Sequence, residues 1–327
     1  MAEAAPQFTP VTLITGFLGS GKTTLLQRLL RDPALADTAV LINEFGEIGI
    51  DHHLLERIDE TMVVLQSGCL CCTIRGELAT AIKDLHGKRE RAEIPAFRRL
   101  VIESTGLADP FPILSTVQAE TVLRHHFRLG NVITTVDAVN GVQQFDAHTE
   151  SVKQIAVADR LVLTKTDLVP AETAARVAQR IGAINPSALL RFSPAIDANE
   201  LLGDTAAEER WFPAAPDDAH HLHADRSRHG DDIRAVALSW ERPVDWAMFG
   251  VWLTMLLHRH GNELLRIKGI LNVAGSETPV AVHGVQHLIH PPAHLAAWPD
   301  AGRHSRLVLI VKGLEPTAIA RSLHSFL

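Results

Sequence analysis

Short apolar runs alternate with stretches of helical spacing over the first two thirds of this chain. Val11-Thr-Leu-Ile-Thr15, Ala39-Val-Leu-Ile42, Met62-Val-Val-Leu65, Leu100-Val-Ile-Glu103, Val132-Ile-Thr-Thr-Val-Asp137 and Leu161-Val-Leu-Thr164 each read as a buried strand. Helical spacing follows the first at Leu25, Leu26, Leu29 and Leu30, and ends near Asp32-Pro33. A further helix is expected over Gly76 to His86, and helical pattern also follows the last two runs. Strands that are apolar throughout, separated by helices, predict a mostly parallel sheet covered on both faces.

The alternation fades after Phe192. Residues 211–232 are rich in Pro, Asp and His, with Pro213-Ala-Ala-Pro216 and His220-His221-Leu-His223, and read as a linker. A second pattern then begins at Ile233. It holds a strand at Ala235–Leu238, a helix from Trp246 to His260, strands near Leu265–Leu271, Val280–Val285 and Leu307–Val311, and a closing helix from Pro316. The fold class expected is therefore α/β over 1–210, then a linker over 211–232, then a smaller α+β domain over 233–327.

Composition narrows the function. The chain has 327 residues, enough for two domains, and its 46% hydrophobic and 21% charged content is that of a globular protein. A formal charge of -7 argues against nucleic acid or an anionic membrane as partner, because neither polyanion would be attracted. The opening Met1-Ala-Glu-Ala-Ala-Pro-Gln has no basic or apolar leader pattern, and no apolar run is long enough to span a bilayer, so the cytoplasm is the expected compartment. The three cysteines all fall in Cys69-Leu-Cys-Cys72. An odd, vicinal set makes a poor disulfide framework and a good thiolate cluster.

The first apolar run leads straight into Gly16-Phe-Leu-Gly-Ser-Gly-Lys-Thr23. Gly16, Gly19 and Gly21 let successive N–H groups turn toward phosphate oxygens, and the next helix points its positive end at the same anion. Lys22 would reach the β- and γ-phosphates, and the Thr23 hydroxyl would meet Mg²⁺. Glu103, at the tip of its strand, is the acidic partner that could hold a metal-bound water, and the Gly106 N–H is a candidate γ-phosphate contact. Thr164-Lys-Thr-Asp167 ends the last clear strand of this region. The Asp167 carboxylate can accept two parallel bonds from guanine N1 and N2, which adenine lacks, with the Lys165 stem across the base plane. Ser193-Pro-Ala195 is a weaker candidate for backbone contacts to the base.

Cys69, Cys71 and Cys72 suit a soft or borderline ion such as Zn²⁺, Co²⁺ or Cu(I), whose binding displaces the thiol protons. In extended chain Cys69 and Cys71 share a face, and Cys72 needs a turn to join them. Glu47 is the first candidate for a fourth ligand. Three sulfurs and one labile position suit transfer better than permanent structure. A tied-down structural zinc loop, or a buried thiol cluster without metal, is the plainer reading. The segment Asn43–Asp51, with Gly46 and Gly49, lies where a switch loop would connect the two sites. Asp51 or Glu47 could touch Mg²⁺ in one nucleotide state and the transition metal in the other.

These motifs together resemble the CobW-like branch of the metallochaperone GTPases. The matching segments are Thr15–Thr24, Asn43–Glu47, Gly68–Cys72, Glu103–Pro110 and Thr164–Asp167, with Leu264–Gly269 and His304–Val308 further on. The resemblance covers nearly the whole chain. It implies a P-loop GTPase domain, weak Mg²⁺-dependent GTP hydrolysis, GTP contacts that include Ser20 and Thr24, binding of Zn²⁺ or a similar ion, and delivery to a client metalloprotein. Thr164 stands where most GTPases carry Asn, and loss of that amide should weaken a side-chain brace but not the base contact.

Other functions stay open on the residues alone. One is a metal buffer whose nucleotide site only stabilises the fold; another is cobalt handling in cobalamin assembly. A third, an ATP-dependent small-molecule kinase, is disfavoured by Asp167. His220, His221, His223 and His229 could capture metal weakly for the thiolates, or simply be solvated. His52, His53, His258 and His260 read as surface residues. Oligomeric state is open, a homodimer among the options.

Overall fold

The computed structural model describes residues 8–44, 62–66, 73–193, 196–203, 233–299 and 302–327. The chain divides into two compact units. The first draws on Met1–Val139, Arg160–Val169 and Arg191–Gly203, and the second on Asn140–Asp159, Pro170–Leu190 and Asp204–Leu327.

The first unit is built on a sheet of β1 (Thr9–Gly16), β2 (Thr38–Glu44), β3 (Met62–Gln66), β4 (Arg99–Glu103), β5 (Phe127–Asp137), β6 (Arg160–Thr164) and β7 (Leu189–Phe192), in the order β3-β2-β4-β1-β5-β6-β7. The pairings from β3 across to β6 are all parallel. Burial explains the apolar runs: every residue of β6 is buried, as are four of five in β4, so neither face meets water. Helix α1 (Lys22–Leu30) buries Leu25, Leu26 and Leu29 against Ile14, Val101, Ile133 and Val162 of the sheet. Helix α2 (Thr73–Glu90) runs longer at both ends than its sequence spacing suggested. Two helices that the sequence reading did not resolve follow β4, α3 (Pro110–Ala119) and α4 (Thr121–His126). The Asp109 carboxylate caps α3 by accepting from Phe111 N at 3.0 Å, with Pro110 in the first turn.

Parallel order has a functional consequence. β1 lies between β4 and β5, with β6 beyond β5, so the segments leaving these strands at their carboxyl ends come together at one edge of the sheet.

The second unit holds α5 (Gly141–Ala147), α6 (Thr149–Val157) and α7 (Ala171–Ile184) together with an antiparallel sheet. Its strands are β8 (Ile233–Trp240), β9 (Leu264–Leu271), β10 (Val280–Val285), β11 (Leu288–Ile289) and β13 (Ser305–Lys312), in the order β11-β10-β9-β13-β8, with β12 (Ala293–His294) paired to β10. Helices α9 (Trp246–His260) and α10 (Pro316–His324) bury Phe249, Trp252, Leu253, Ile319 and Leu323 with Ile267, Leu271, Leu307 and Leu309. A short helix in the first unit, α8 (Ala198–Leu202), completes the set.

All eight residues of β9 are buried, and the strand alternates. Ile267 and Leu271 enter the apolar core, whereas Arg266 and Lys268 point to the opposite face. There the Arg266 guanidinium donates to Val157 O and to the Asp159 carboxylate, and Lys268 Nζ donates to Ser187 O at 2.7 Å. Asn185 closes the same region by donating to Ile155 O and Ala158 O at 2.8 and 2.9 Å. Buried cations are tolerated here because each has an anionic or carbonyl acceptor.

His283 and His290 meet edge to face beside this cluster, with ring centroids 4.8 Å apart. Burial, reinforced by His290 and by Arg266 and Lys268 and opposed by Asp159, lowers the His283 pKa to about 4. The native state thus holds His283 neutral at pH values where the unfolded chain, with an ordinary value near 6.5, binds a proton. Stability is fully present above the unfolded value and falls as pH drops through it toward 4. The loss has an upper bound of about 3 kcal/mol. Urea unfolding at pH 7 and pH 4.5 should show a larger acid loss for the natural chain than for His283→Asn; equal losses would refute the assignment.

Candidate nucleotide-binding site

The loop between β1 and α1 is closed by Ser20 N donating to Phe17 O at 3.1 Å. Gly16 has φ +139°, and a Cβ there would lie 2.4 Å from Thr135 O, so glycine alone fits. Lys22 folds over the turn and donates from Nζ to Gly16 O at 2.9 Å and Phe17 O at 3.2 Å. Its ammonium is buried, which lowers its pKa, with Glu103 opposing that shift. A buried cation held on two carbonyls at the mouth of a Gly-rich turn is a poised anion receptor.

The end of β4 meets the same loop. The Thr23 hydroxyl donates to Glu103 Oε1 at 2.6 Å, and Glu103 is 4% exposed. A hydroxyl and a carboxylate, both hard oxygen donors, are the set that Mg²⁺ prefers. The backbone then turns so that Gly106 approaches the loop closely; a Cβ on Gly106 would lie 2.6 Å from Leu18 N. This packing of one loop on another is what requires glycine at position 106. Ser104 adds a buried link, donating from Oγ to Thr15 Oγ1 at 2.8 Å.

The end of β6 completes the cluster. Thr164 Oγ1 lies 2.8 Å from Ser20 O and 3.1 Å from Val136 O, and donates to these carbonyls. Thr at this position thus makes a brace of its own to the phosphate loop. The shorter hydroxyl reaches the phosphate loop because β6 sits one strand beyond β5, whose end Ser20 also touches through Thr135 Oγ1 at 2.6 Å. Lys165 takes a left-handed conformation, φ 55°, and its ammonium pairs with Asp137 Oδ2 at 2.8 Å. Asp137 is 1% exposed and also accepts from Val139 N at 2.7 Å. Asp137 was not among the residues singled out from sequence, although a carboxylate ending an apolar run is a visible signal. Thr166 donates to Ser193 O at 2.9 Å, and Asp167 follows, exposed.

The structure thus gathers Gly16, Ser20, Lys22, Thr23, Glu103, Gly106 and Lys165 into one connected set. Gly19, Gly21 and Thr24 belong to the same loop and helix start, and Asp167 to the short turn Thr166–Leu168 beyond β6. Cys69, Cys71, Cys72 and Glu47 lie outside the described residues, as do Asp51, His52, His53, Pro194 and Ala195 and the linker histidines. Among the described residues no group of three or more His, Cys, Asp or Glu is placed to hold a metal ion. No helix among them is long and apolar enough to cross a membrane.

Comparison with known proteins agrees with this geometry. Residues 10–191 match the family described as CobW/HypB/UreG, nucleotide-binding domain, and residues 233–327 match the cobalamin synthesis protein cobW C-terminal domain. The zinc chaperone YjiA of Escherichia coli strain K12 is 36% identical over 304 residues, which is 92% of this chain and 93% of that protein. The crystal structure of the Zn(II)-bound YjiA GTPase from E. coli superposes with a TM-score of 0.76 at 30% identity, covering 98% of this chain and 99% of that one. The zinc-regulated GTPase metalloprotein activator 1 of Schizosaccharomyces pombe is 35% identical over 184 residues, 54% of this chain and 43% of that protein. With a phosphate loop, a strand-end carboxylate and a base-side turn on one parallel sheet, and with both family domains in order, this chain belongs to the CobW/HypB/UreG family of P-loop GTPases.

Proposed function

We propose that this protein is a GTP-hydrolysing metallochaperone that carries zinc on Cys69, Cys71 and Cys72, with Glu47 as fourth ligand, and passes it to a client metalloprotein in the cytoplasm. The reading rests most on the Thr23–Glu103 contact at 2.6 Å beside the buried Lys22 ammonium, which assembles the parts of a triphosphate site. Thr23 and Glu103 would hold Mg²⁺, which neutralises charge on the phosphates. Lys22 binds the β- and γ-phosphates, Gly16, Gly19, Ser20, Gly21 and Thr24 present the loop around them, and Gly106 lines the far side. Asp167 reads guanine and the Lys165 stem covers the base. Support for zinc comes from the relatives named as zinc chaperones, and support for a protein client from the relative named as a metalloprotein activator.

Base choice gives a direct test. Asp167→Asn exchanges a double acceptor for an amide that also donates. GTP affinity should fall by about 100-fold or more, since a base site left with an unmatched polar group discriminates strongly, while xanthosine triphosphate should gain affinity. Titration with fluorescent nucleotides reads both. An unchanged GTP preference in the variant would remove Asp167 from the base site. ATP binding as tightly as GTP in the natural chain would remove the GTPase reading itself.

Metal content decides between delivery and mere fold support by zinc. Protein purified without added metal should carry about one zinc per chain, lost when all three cysteines become serine, with the fold retained. A variant that unfolds when the zinc is lost would point to a structural site.

A further inference from the structure

Helix α9 buries one side and leaves an unusual surface on the other. From Trp246 to Leu257 it carries no charged residue. Phe249, Trp252, Leu253 and Leu256 face the core, whereas Met248, Val251 and Met255 are 44%, 49% and 58% exposed. Single exposed apolar side chains are ordinary, but three on one helix within eight residues are not. With His258 they recur at intervals of three, four and three. That is the spacing of a helix seam made to receive a second helix. No described residue covers this seam.

The residues flanking the seam say what fits it. One flank carries Asp245 at the helix start and Arg259 at its end, seven residues either side of the buried Trp252. The other flank offers only Ala247 and Thr254, both small and uncharged. The acidic end holds Glu241 and Asp245, with Arg242 between them. The basic end holds His258, Arg259 and His260. A surface negative at one end, positive at the other and apolar between is complementary to itself turned around. We infer that α9 is an isologous interface: two copies of this chain pair their α9 helices antiparallel about a two-fold axis.

In that register Val251 packs against the partner's Met255, and Met248 against the partner's His258. Asp245 meets the partner's Arg259, and symmetry makes each contact occur twice. Ala247 and Thr254 let the helices approach on the other flank. Antiparallel dipoles add to the attraction, whereas a parallel pair would set like ends together. Asp245 Oδ1 also accepts from Met248 N at 3.0 Å to cap its own helix, so the carboxylate is already fixed at the seam's edge. The interface is one helix wide, small for a protein pair, and fits self-association in the micromolar range. The inference does not depend on nucleotide or zinc.

Sedimentation velocity of the full chain, in chelator and in the variant with all three cysteines replaced by serine, tests it without metal bridging. A concentration-dependent dimer is expected in the micromolar range. Met255→Glu places a charge in the seam and should weaken it at least about 10-fold, since a buried unpaired charge is strongly penalised. Arg259→Glu sets like charges together and should weaken it as well, more so at low salt. Circular dichroism, and melting at dilutions where the chain is monomeric, should be unchanged in both, because the replaced side chains are exposed on the single chain. Val251→Cys in the cysteine-free background should cross-link to itself with a short bismaleimide. A chain that stays monomeric throughout, including one that uses this seam for a different protein, overturns the inference. A dimer indifferent to Met255→Glu and Arg259→Glu overturns it too.

Discussion

Lys22→Met should lower kcat/KM for GTP hydrolysis by about 10²–10³-fold, the cost of removing one preorganised donor to a developing phosphate charge. The structure makes the result sharper than a general rule would. Lys22 Nζ is held on Gly16 O and Phe17 O, at the turn proposed to face the phosphates, and the Glu103 charge acts on it. Burial works against its charge, as its lowered pKa records. Without nucleotide that ammonium is therefore no strong source of stability, and a methionine stem of similar length fills the same path. Thermal unfolding without nucleotide should change by only a few degrees, while the stabilisation that GTP adds by mass action should vanish. The proposed base reading by Asp167 belongs to a different loop, so whatever nucleotide affinity survives should still favour guanine over adenine. Loss of stability equal to the loss of activity would instead make Lys22 a fold residue. Unimpaired hydrolysis would remove the phosphate-loop assignment.

The contrast between Lys22 and Thr164 shows how far sequence reasoning reaches. Lys22 is legible because the motif, the strand before it and the helix after it are all local. Thr164 was legible as a motif position, but the fate of its brace was not. That depends on Ser20 lying one hydroxyl away, across 144 residues, which only the strand order supplies. Asp137 was missed for the same reason: its importance lies in meeting Lys165, and the pair forms because β5 and β6 are neighbours in register. The alternating runs predicted the parallel sheet well, since apolar burial on both faces leaves a local signature. They did not predict α3 and α4, whose Pro-rich start and brevity give weak periodicity. Nor could composition show that α6 and α7 share a compact unit with the carboxyl-terminal sheet. The link there is Arg266 on Val157 and Asp159, a contact between polar residues that no hydrophobic pattern announces.

Zinc affinity should differ between nucleotide states, and replacing the three thiols should reveal by how much. Thiolates supply most of the binding free energy at a site of this kind, so the variant with serine at positions 69, 71 and 72 should lose affinity by about 10³-fold or more. In the natural chain, a non-hydrolysable GTP analogue should hold zinc tighter than GDP does, by a factor corresponding to about 1–3 kcal/mol, and zinc must then tighten the analogue by the same factor. Competition with a chromophoric chelator measures the first quantity and fluorescent nucleotide titration the second; reciprocity makes each a check on the other. The segment expected to carry the linkage, Asn43–Asp51, leaves β2, which pairs with β4, and β4 ends on the Glu103 that meets Thr23. A change at Thr23 or Glu103 therefore has a hydrogen-bonded route through β4 into β2, the strand that this segment follows in sequence. Zinc affinity in either nucleotide state should fall with acid, because protons compete with the metal for thiolate sulfur. Lys22→Met supplies the decisive control: it should leave zinc binding in place and erase its dependence on nucleotide. Identical zinc affinities with GDP and with the analogue would reduce the protein to a buffer beside an unrelated GTPase site, and hydrolysis would then have nothing to release.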